Sequence, residues 1–492
     1  MWAFKLKRLP DGKPLKFKAR YCVRGDLQRE GVDFFDTYAP VVQWSTIRML
    51  LTLTLSKGWT TKQVDYTNAF AQAALKETVF IEPPKGFGRV DKLDRVLRLI
   101  TSLYGLRQAP KTFFEKLRDG LLERGFVQSD LDPCLFLKEK MICVVYVDDT
   151  IIAGPDSSKI DDLITSLGVR KDEQRHTFAL RDEGEVGDFL GIRIEKKGAR
   201  KFKLSQPGLI NKVLKTANME DCNSCRTPAL TTPLGSDKEG ATFNEAWNYP
   251  TVIGMLMYLA NNSRPEIAYA VHQCARFTHC PKESHAAGVK RILRYLKGTK
   301  EEGMYLEPSD SLAVDCYVDA DFAGLWKSED SQDPLCVKSR SGHVITFMGS
   351  PLQWQSKLQT QIALSTMEAE YIALSLAMRE LIAVRVILKE IYSHVFAAPN
   401  TKVTYSTIAR GFTIPPSTVY EDNEACLKFA SMPKMSPRTK HIAIPYHFFR
   451  SKVQDLEIKV VGIDTKRQLA DQFTKGLPQD KFEHDRKILL GW

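Results

Sequence analysis

The run MICVVYVDDTIIAG, residues 141–154, sets two adjacent carboxylates, Asp148 and Asp149, between two apolar stretches. That pattern reads as a strand, a tight turn carrying charge, and a second strand. Two carboxylates held side by side are poor core material, because each needs a counter-charge or water. They are a good seat for a hard divalent cation. Taken alone, the motif also fits an ordinary edge hairpin, so its meaning depends on the rest of the chain.

The chain has 492 residues, 43% of them apolar, enough for two to four domains with proper cores. A formal net charge of +11 favours polyanions, either nucleic acid or an anionic membrane surface. The 10 cysteines are irregularly spread and only Cys222 and Cys225 form a close pair. Without a second pair or suitable histidines this is not a zinc pattern, and free thiols in a reducing compartment are expected. No signal-peptide pattern opens the sequence and no run approaches 18 apolar residues, so no membrane-spanning helix is expected.

Along the chain, WAFKLKR, the turn Pro10-Asp11-Gly12-Lys13 and LKFKARYCVRG predict a cation-studded hairpin. Helices are predicted over 44–58, 111–125, 204–219, 250–262 and 283–298, with Gly58 and Gly125 as stops. Thr60 to Asp65 reads as a strand followed by a turn at Tyr66-Thr67-Asn68, and DFLGIRIEK, in the segment around 182–194, as a short strand. The polar stretch 222–245 is a candidate flexible joint. A new alternating segment begins near Leu312, and 327–341 and 397–418 read as long loops. No internal repeat is visible.

Asp65, in QVDYTNAF, ends an apolar strand; alone it would be a cap or turn residue. The succession TKQVDYTNAF, SLYGLRQAP at 102–110, YVDD at 146–149 and FLGI at 189–192 resembles reverse transcriptases. Together with TYAPVVQWSTIR and VFIEPPKGF it is similar to the copia-type long-terminal-repeat retrotransposon Pol polyproteins over residues 1–225.

That resemblance implies nucleotide addition at an α-phosphate, with Asp65, Asp148 and Asp149 holding two Mg2+ ions, Mn2+ being a possible substitute. The Tyr66 carbonyl is a further candidate ligand. It also implies that Phe70 lies below the sugar and excludes a 2′-hydroxyl, with a core aromatic as the other reading. Lys18 and Arg20 would meet the triphosphate or template, Gln108 would lie near the incoming nucleotide, and Tyr146 would support the primer end.

Four further acids recur in the last third. Asp319 lies in LAVDCYVDADFAG, a strand on which Asp321 shares its face. Glu370 sits in ALSTMEAEYIALSLAMRELIAV, in the first turns of a periodic helix with Ser365 and Glu368 fitting a capping box. Asp422, in VYEDNEACLKF, ends a strand and enters a helix; Asp471, in RQLADQFTKGLP, rides a helix closing at Gly476. Singly each reads as solvated surface. As a set, with SRSGHV, RTKHI and YHFFR, they resemble the four-carboxylate site of RNase H in its copia-type form. Two Mg2+ ions there would cleave the RNA strand of an RNA–DNA hybrid. His441 and His447 could serve proton transfer, packing or phosphate contact.

Residues 226–311 resemble the family's thumb and connection region through SRPEIAYAV and RILRYLKGT. Its helix carries Lys290, Arg291, Arg294 and Lys297, either as phosphate contacts or as a merely soluble face. The resemblance thus implies an α+β right-hand polymerase (palm, fingers, thumb/connection) followed by an α/β RNase H-like domain. The expected divisions are 1–225, 226–311 and 312–492. It implies RNA-directed and DNA-directed DNA synthesis with RNase H activity on an RNA template, a primer, deoxynucleotides and an RNA–DNA hybrid. Implied partners include capsid and integrase of the same element, with no membrane. The implied location is the cytoplasm, in virus-like particles, with nuclear access. The family protein continues upstream through capsid, protease and integrase regions, and AQAALKETVF here replaces a more acidic phrase. Two other readings stay open: a noncatalytic remnant that binds nucleic acid through its positive charge, and a nuclease whose polymerase half is scaffold.

Overall fold

A computed structural model describes residues 1–8, 14–84, 96–168, 176–326, 336–396, 414–431 and 448–492. The expected turn at 10–13, most of the two long loops, His441 and His447 lie outside the described residues. The fold is mixed α/β, and its contacts divide the chain into two compact units. One is built from Met1–Gln43 and Trp59–Val186, with a short piece from His394 onward. The other is built from Trp44–Gly58, Gly187–Ser393 and a C-terminal part ending at Trp492.

The first unit opens on an antiparallel pair, β1 (Trp2–Arg8) with β2 (Pro14–Tyr21). The helix α1 (Trp44–Lys57) that follows belongs to the second unit and stops at Gly58, whose φ is +63°. Next come β3 (Thr60–Tyr66) and two short strands, β4 (Phe80–Ile81) and β5 (Leu97–Arg98). α2 (Ala109–Leu122) has Pro110 in its first turn, where the missing N–H costs nothing. It buries Phe113, Leu117 and Leu121, one face at a four-residue spacing.

The strands β6 (Val127–Gln128), β7 (Leu135–Lys138), β8 (Met141–Tyr146), β9 (Asp149–Gly154) and β10 (Leu180–Gly184) complete an antiparallel six-stranded sheet with β3, in order β10-β3-β9-β8-β7-β6. The central hairpin is apolar on consecutive residues because both its faces are covered: Ile142 to Val144 and Ile151 to Ala153 have no exposed surface. α3 (Ser157–Gly168) contributes Ile160, Leu163, Ile164 and Leu167 to that cover.

In the second unit, β11 (Asp188–Phe189), β12 (Ile192–Gly198), β13 (Lys201–Ser205) and β14 (Met304–Leu306) form a four-stranded sheet. The segment read as one short strand, DFLGIRIEK, is therefore a hairpin. Its turn residues Leu190 and Gly191 both have positive φ, +52° and +74°. A leucine at such a position carries no turn signal, which is why the sequence pattern hid the break.

Between these strands lie α4 (Pro207–Thr216), α5 (Tyr249–Asn262), α6 (Ala268–Ala275) and α7 (Glu283–Gly298). α1 is anchored here through Arg48, whose buried guanidinium donates to the carbonyls of Leu352, Asn261 and Asn262 and lies 4.0 Å above the Trp354 ring.

The last sheet is mixed and five-stranded. It contains β15 (Val314–Asp321), β16 (Arg340–Phe347), β17 (Ser350–Leu358), β18 (Ser417–Glu421) and β19 (Ile458–Gly462), in order β17-β16-β15-β18-β19. β15 and β16 pair antiparallel, as do β16 and β17, whereas β15-β18 and β18-β19 pair in parallel. The 30-residue α8 (Thr366–Val395) connects them, with α9 (Glu424–Ser431), α10 (Arg450–Gln454), α11 (Asp471–Thr474) and α12 (Gln479–Leu490) following. The helix expected around Asp471 is thus a single turn.

Candidate active sites

In the first unit, Asp65 is the penultimate residue of β3 and Asp149 begins β9, and the two are register partners across the antiparallel pair. Asp148 occupies the turn between β8 and β9, and its carbonyl accepts from the Tyr66 N–H at 3.2 Å. The turn holds Val147 at φ +53°, a strained conformation for a β-branched residue. Asp149 is half-buried, and desolvation together with Asp148 and Asp65 pushes its carboxyl up to about 6. Three acids therefore converge on one end of two apolar strands, with their charge held there at an electrostatic cost.

SLYGLRQAP supports this end from beside it. Gly105 has φ +95°, and a Cβ there would meet the Val23 carbonyl oxygen at 2.1 Å, so only glycine lets segment 23–28 lie against the turn. That segment continues from β2 and is tied down by Val23 N–H to the Tyr104 carbonyl and by Arg107 Nε to the Gly25 carbonyl. The Arg20 guanidinium stacks 4.5 Å from the Tyr104 ring centroid, and Tyr104 feels the charges of Asp148 and Asp65. Tyr104 is the residue that sequence reading passed over; its only sequence signal is its place inside the SLYG phrase.

The remaining candidates fall in different places. Phe70 is partly exposed, 4.9 Å from the Tyr104 ring and 6.4 Å from Phe113. Tyr146 is half-buried at the end of β8, and Lys18 lies on β2 opposite Lys5. Tyr66 points its ring into the core against Phe113 and Phe178, so its backbone alone faces the acids' end of the sheet. Gln108 is 2% exposed; its amide donates to the Asp33 carbonyl and accepts from Gln28. A contact of this side chain with a nucleotide would require the 28–33 loop to move.

In the second unit, Asp319 on β15, Glu370 on α8 and Asp422 just past β18 each offer an oxygen within 4.8 Å of the others. Among the described residues this is the group tight enough to hold a metal ion. Asp319 and Glu370 are buried, and Glu370 Oε2 has no hydrogen-bond partner. Ser365 Oγ accepts from the Glu368 N–H, and the Glu368 carboxylate accepts from Leu364, which fixes where α8 starts and so aims Glu370. Desolvation, then the neighbouring acids, pushes the Glu370 carboxyl far up, and Asp319 shifts the same way. A buried oxygen without a donor, amid oxygen-only ligands, fits a hard divalent cation.

Asp471 lies beside this trio and is 1% exposed, with Lys475 Nζ 2.6 Å from one oxygen and Lys481 Nζ 3.3 Å from the other. Its approach depends on Gly342, the register partner of Asp319. A Cβ at Gly342 would stand 2.7 Å from Thr474 Cγ2 and 2.8 Å from Phe473 Cβ, so the glycine lets α11 sit flush on β16. Sequence reading also missed Glu421, fully buried one residue before Asp422, with Oε2 unpartnered and its carboxyl pushed up by burial. Asp321 is less buried than Asp319 and is not part of the trio.

The four cations of α7 all have protein partners. Lys290 pairs with Glu245, Arg291 Nη2 donates to Thr227 Oγ1 at 2.7 Å, Arg294 Nε donates to the Asn223 carbonyl at 2.8 Å, and Lys297 donates to the Glu220 carbonyl. Further along, His285 meets the Gly235 carbonyl and Lys282 the Gly240 carbonyl. Residues 220–245 are therefore a strap laid along α7 and not the free joint expected from their composition. Cys222 and Cys225 form no disulfide, and Cys225 Sγ donates to backbone carbonyls, so the close pair is part of the strap.

The reverse transcriptase (RNA-dependent DNA polymerase) family model matches residues 1–231. The Retrovirus-related Pol polyprotein from transposon RE1 of Arabidopsis thaliana is 34% identical over 98% of this chain and 31% of its own length. That from transposon TNT 1-94 of Nicotiana tabacum is 34% identical over 99% and 35%. The transposon Ty1-H Gag-Pol polyprotein of Saccharomyces cerevisiae is 24% identical over 98% and 26%. The chain belongs to the copia-type long-terminal-repeat retrotransposon Pol family. It spans about a third of the length of the plant relatives it matches. Among the described residues no helix is long and apolar enough to cross a membrane.

Proposed function

We propose that the chain is an RNA-directed and DNA-directed DNA polymerase with RNase H activity, serving retrotransposon replication. The observation that carries this reading is the register that sets Asp65 opposite Asp149, with Asp148 in the adjoining turn, in a member of this family. On this reading the six-stranded sheet is the palm and the β1–β2 hairpin belongs to the fingers. The segment 226–311 is the thumb/connection and 312–492 is RNase H-like. The mixed sheet order β17-β16-β15-β18-β19, carrying acids at the ends of β15 and β18, supports the last assignment.

Each acidic site is proposed to take two Mg2+ ions, or Mn2+ in their place, which when bound supply Lewis-acid charge at the reacting phosphate oxygens. Asp65, Asp148 and Asp149 would hold them in the palm, and Asp319, Glu370, Asp422 and Asp471 in the nuclease. Strand and helix ends fix these carboxylates before substrate arrives, so little reorganisation is left for the reaction itself. Arg20, braced on Tyr104, would meet the triphosphate with Lys18; Tyr146 would support the primer end. Phe70, resting on Tyr104, would close the space below the sugar C2′. Gln108 would act on the nucleotide pocket by holding the 28–33 loop. Lys290, Arg291, Arg294 and Lys297 would place positive charge along duplex phosphates, the two arginines having N–H donors beyond those bonded to the strap.

The substrates would be an RNA template, primer, deoxynucleotides and the RNA–DNA hybrid; capsid and integrase of the same element would be partners in a cytoplasmic particle. Incubation with a primed RNA template, deoxynucleotides and Mg2+ tests the polymerase, and a labelled hybrid without deoxynucleotides tests the nuclease. Extended DNA and shortened RNA are expected. Folded protein that yields neither would be the inert remnant.

A further inference from the structure

We infer that the Lys475 ammonium is a built-in counter-cation at the Asp319–Asp471 end of the nuclease cluster, which a second divalent ion must displace. The inference rests on the nuclease reading above. The cluster has two unlike ends. At one, Asp319, Glu370 and Asp422 each present an oxygen within 4.8 Å of the others, and Glu370 Oε2 is buried without a donor. That end is open to a cation.

The other end is already filled. Lys475 Nζ lies 2.6 Å from Asp471 Oδ1 and 3.6 Å from Asp319 Oδ2, so one ammonium bridges both carboxylates. Lys481 Nζ takes Asp471 Oδ2 at 3.3 Å, and the Thr474 hydroxyl donates to Asp319 Oδ2. Both Asp471 oxygens therefore have an ammonium at ion-pair distance, although Oδ1 accepts no well-aligned hydrogen bond, and Asp319 offers one free oxygen at most. A divalent ion placed between Asp319 and Asp471 would stand in the field of the ammonium, with like charges only a few ångströms apart.

The geometry also gives the lysine somewhere to go. Lys475 is four residues after Asp471, so the backbone keeps it near the site. Its side chain is 40% exposed, while the carboxylates it bridges are 4% and 1% exposed. The flexible four-carbon stem can swing the ammonium outward without moving the acids. The first ion would then enter without rearrangement, and the second only at the cost of breaking two ion pairs. Substrate phosphate arriving beside the second ion would give the displaced ammonium a new anion to meet.

Calorimetric titration of Mg2+ into the full chain tests this, with Asp65→Asn, Asp148→Asn and Asp149→Asn in every arm to remove the other acidic site. The parent should show one tighter and one weaker event. Lys475→Met keeps the stem and removes the charge; it should tighten the weaker event at least ~10-fold and leave the tighter one little changed. It should also lower the melting temperature in EDTA, because two buried carboxylates lose the cation they share and keep only Lys481 and the Thr474 hydroxyl. Should Lys475→Met not fold, Lys475→Arg serves alone: a fixed, bidentate cation should weaken the second event at least ~10-fold. A second event identical in parent and in the folded variants would overturn the inference while leaving the metal site standing. No Mg2+ binding in any arm would overturn both.

Discussion

Asp65 and Asp149 stand directly opposite one another across the β3–β9 ladder. Like charges at opposed ladder positions destabilise a sheet, and here a third acid, Asp148, joins them at the turn. The interiors of β8 and β9 beside them are fully buried, and that burial offsets the repulsion. Such a cost is what a cation-binding end of a sheet looks like before the cation arrives.

The charge cost is measurable. The folded Asp149 carboxyl sits at about 6 against 3.8 unfolded, so the cost to folding is absent below about pH 3.8, builds as pH rises towards 6 and is complete above it. Asp149→Asn should therefore raise the metal-free melting temperature by roughly 1–3 °C at pH 7.5 and by about half as much at pH 5. Buried His272 and His343, both pushed down to about 4, run the opposite way, but they cancel in the variant-minus-wild-type difference. Thermal melts in EDTA at the two pH values decide; an equal gain at both would contradict the charge account.

Phe70 is tested by sugar choice. Phe70→Ala should open space below C2′ and reduce discrimination against ribonucleotides at least ~10-fold. Because the ring is only partly buried, the stability cost should fall at or below the ~3 kcal/mol lower end for Phe→Ala in cores. Competition kinetics on the folded variant with an unchanged ratio would make Phe70 a packing residue against Tyr104 and Phe113.

Gly342→Ala should push α11 off β16, since its new Cβ would collide with Phe473 and Thr474. Overpacking of this kind costs about 1–3 kcal/mol. Hybrid cleavage should fall at least ~10², because a misplacement near 1 Å has that effect on a positioned site. Primer extension should be kept. Unchanged cleavage rates would show that Asp471 need not sit where it does.

For α7, Arg291→Gln, Arg294→Gln and Lys297→Gln together should expose the strap to limited proteolysis, because three latches to residues 220–227 are lost. Template–primer affinity should weaken alike for all sequences. The slope of log affinity against log salt should flatten by about 0.9 per true phosphate contact. Proteolysis without any change in slope would leave these cations as latches alone.

Much of the acidic geometry was legible in the sequence, because it rides on local patterns. The apolar runs around Asp148 and Asp149 fixed a hairpin, and Ser365 with Glu368 fixed where α8 begins. What stayed hidden depends on contacts between distant segments. Composition marked 222–245 as a joint, and only the partners on α7 turn it into a strap. Gln108 is buried by a loop some 75 residues upstream. Glu421 reads as an ordinary strand residue until β15 and β19 pair on either side of it. Lys475 looks like a helix-end lysine until Asp319, far away on β15, comes within 3.6 Å.

The central claim is that one chain carries two separate acidic sites with different reactions. Asp148→Asn and Glu370→Gln, each confirmed folded by circular dichroism, should be assayed side by side for extension of a primed RNA template and for cleavage of a preformed RNA–DNA hybrid in Mg2+. The account predicts a crossed result. Asp148→Asn should lose extension by more than ~10² and keep cleavage, and Glu370→Gln should lose cleavage by more than ~10² and keep extension on a short template. Loss of both activities in either folded variant, or of neither, would contradict it.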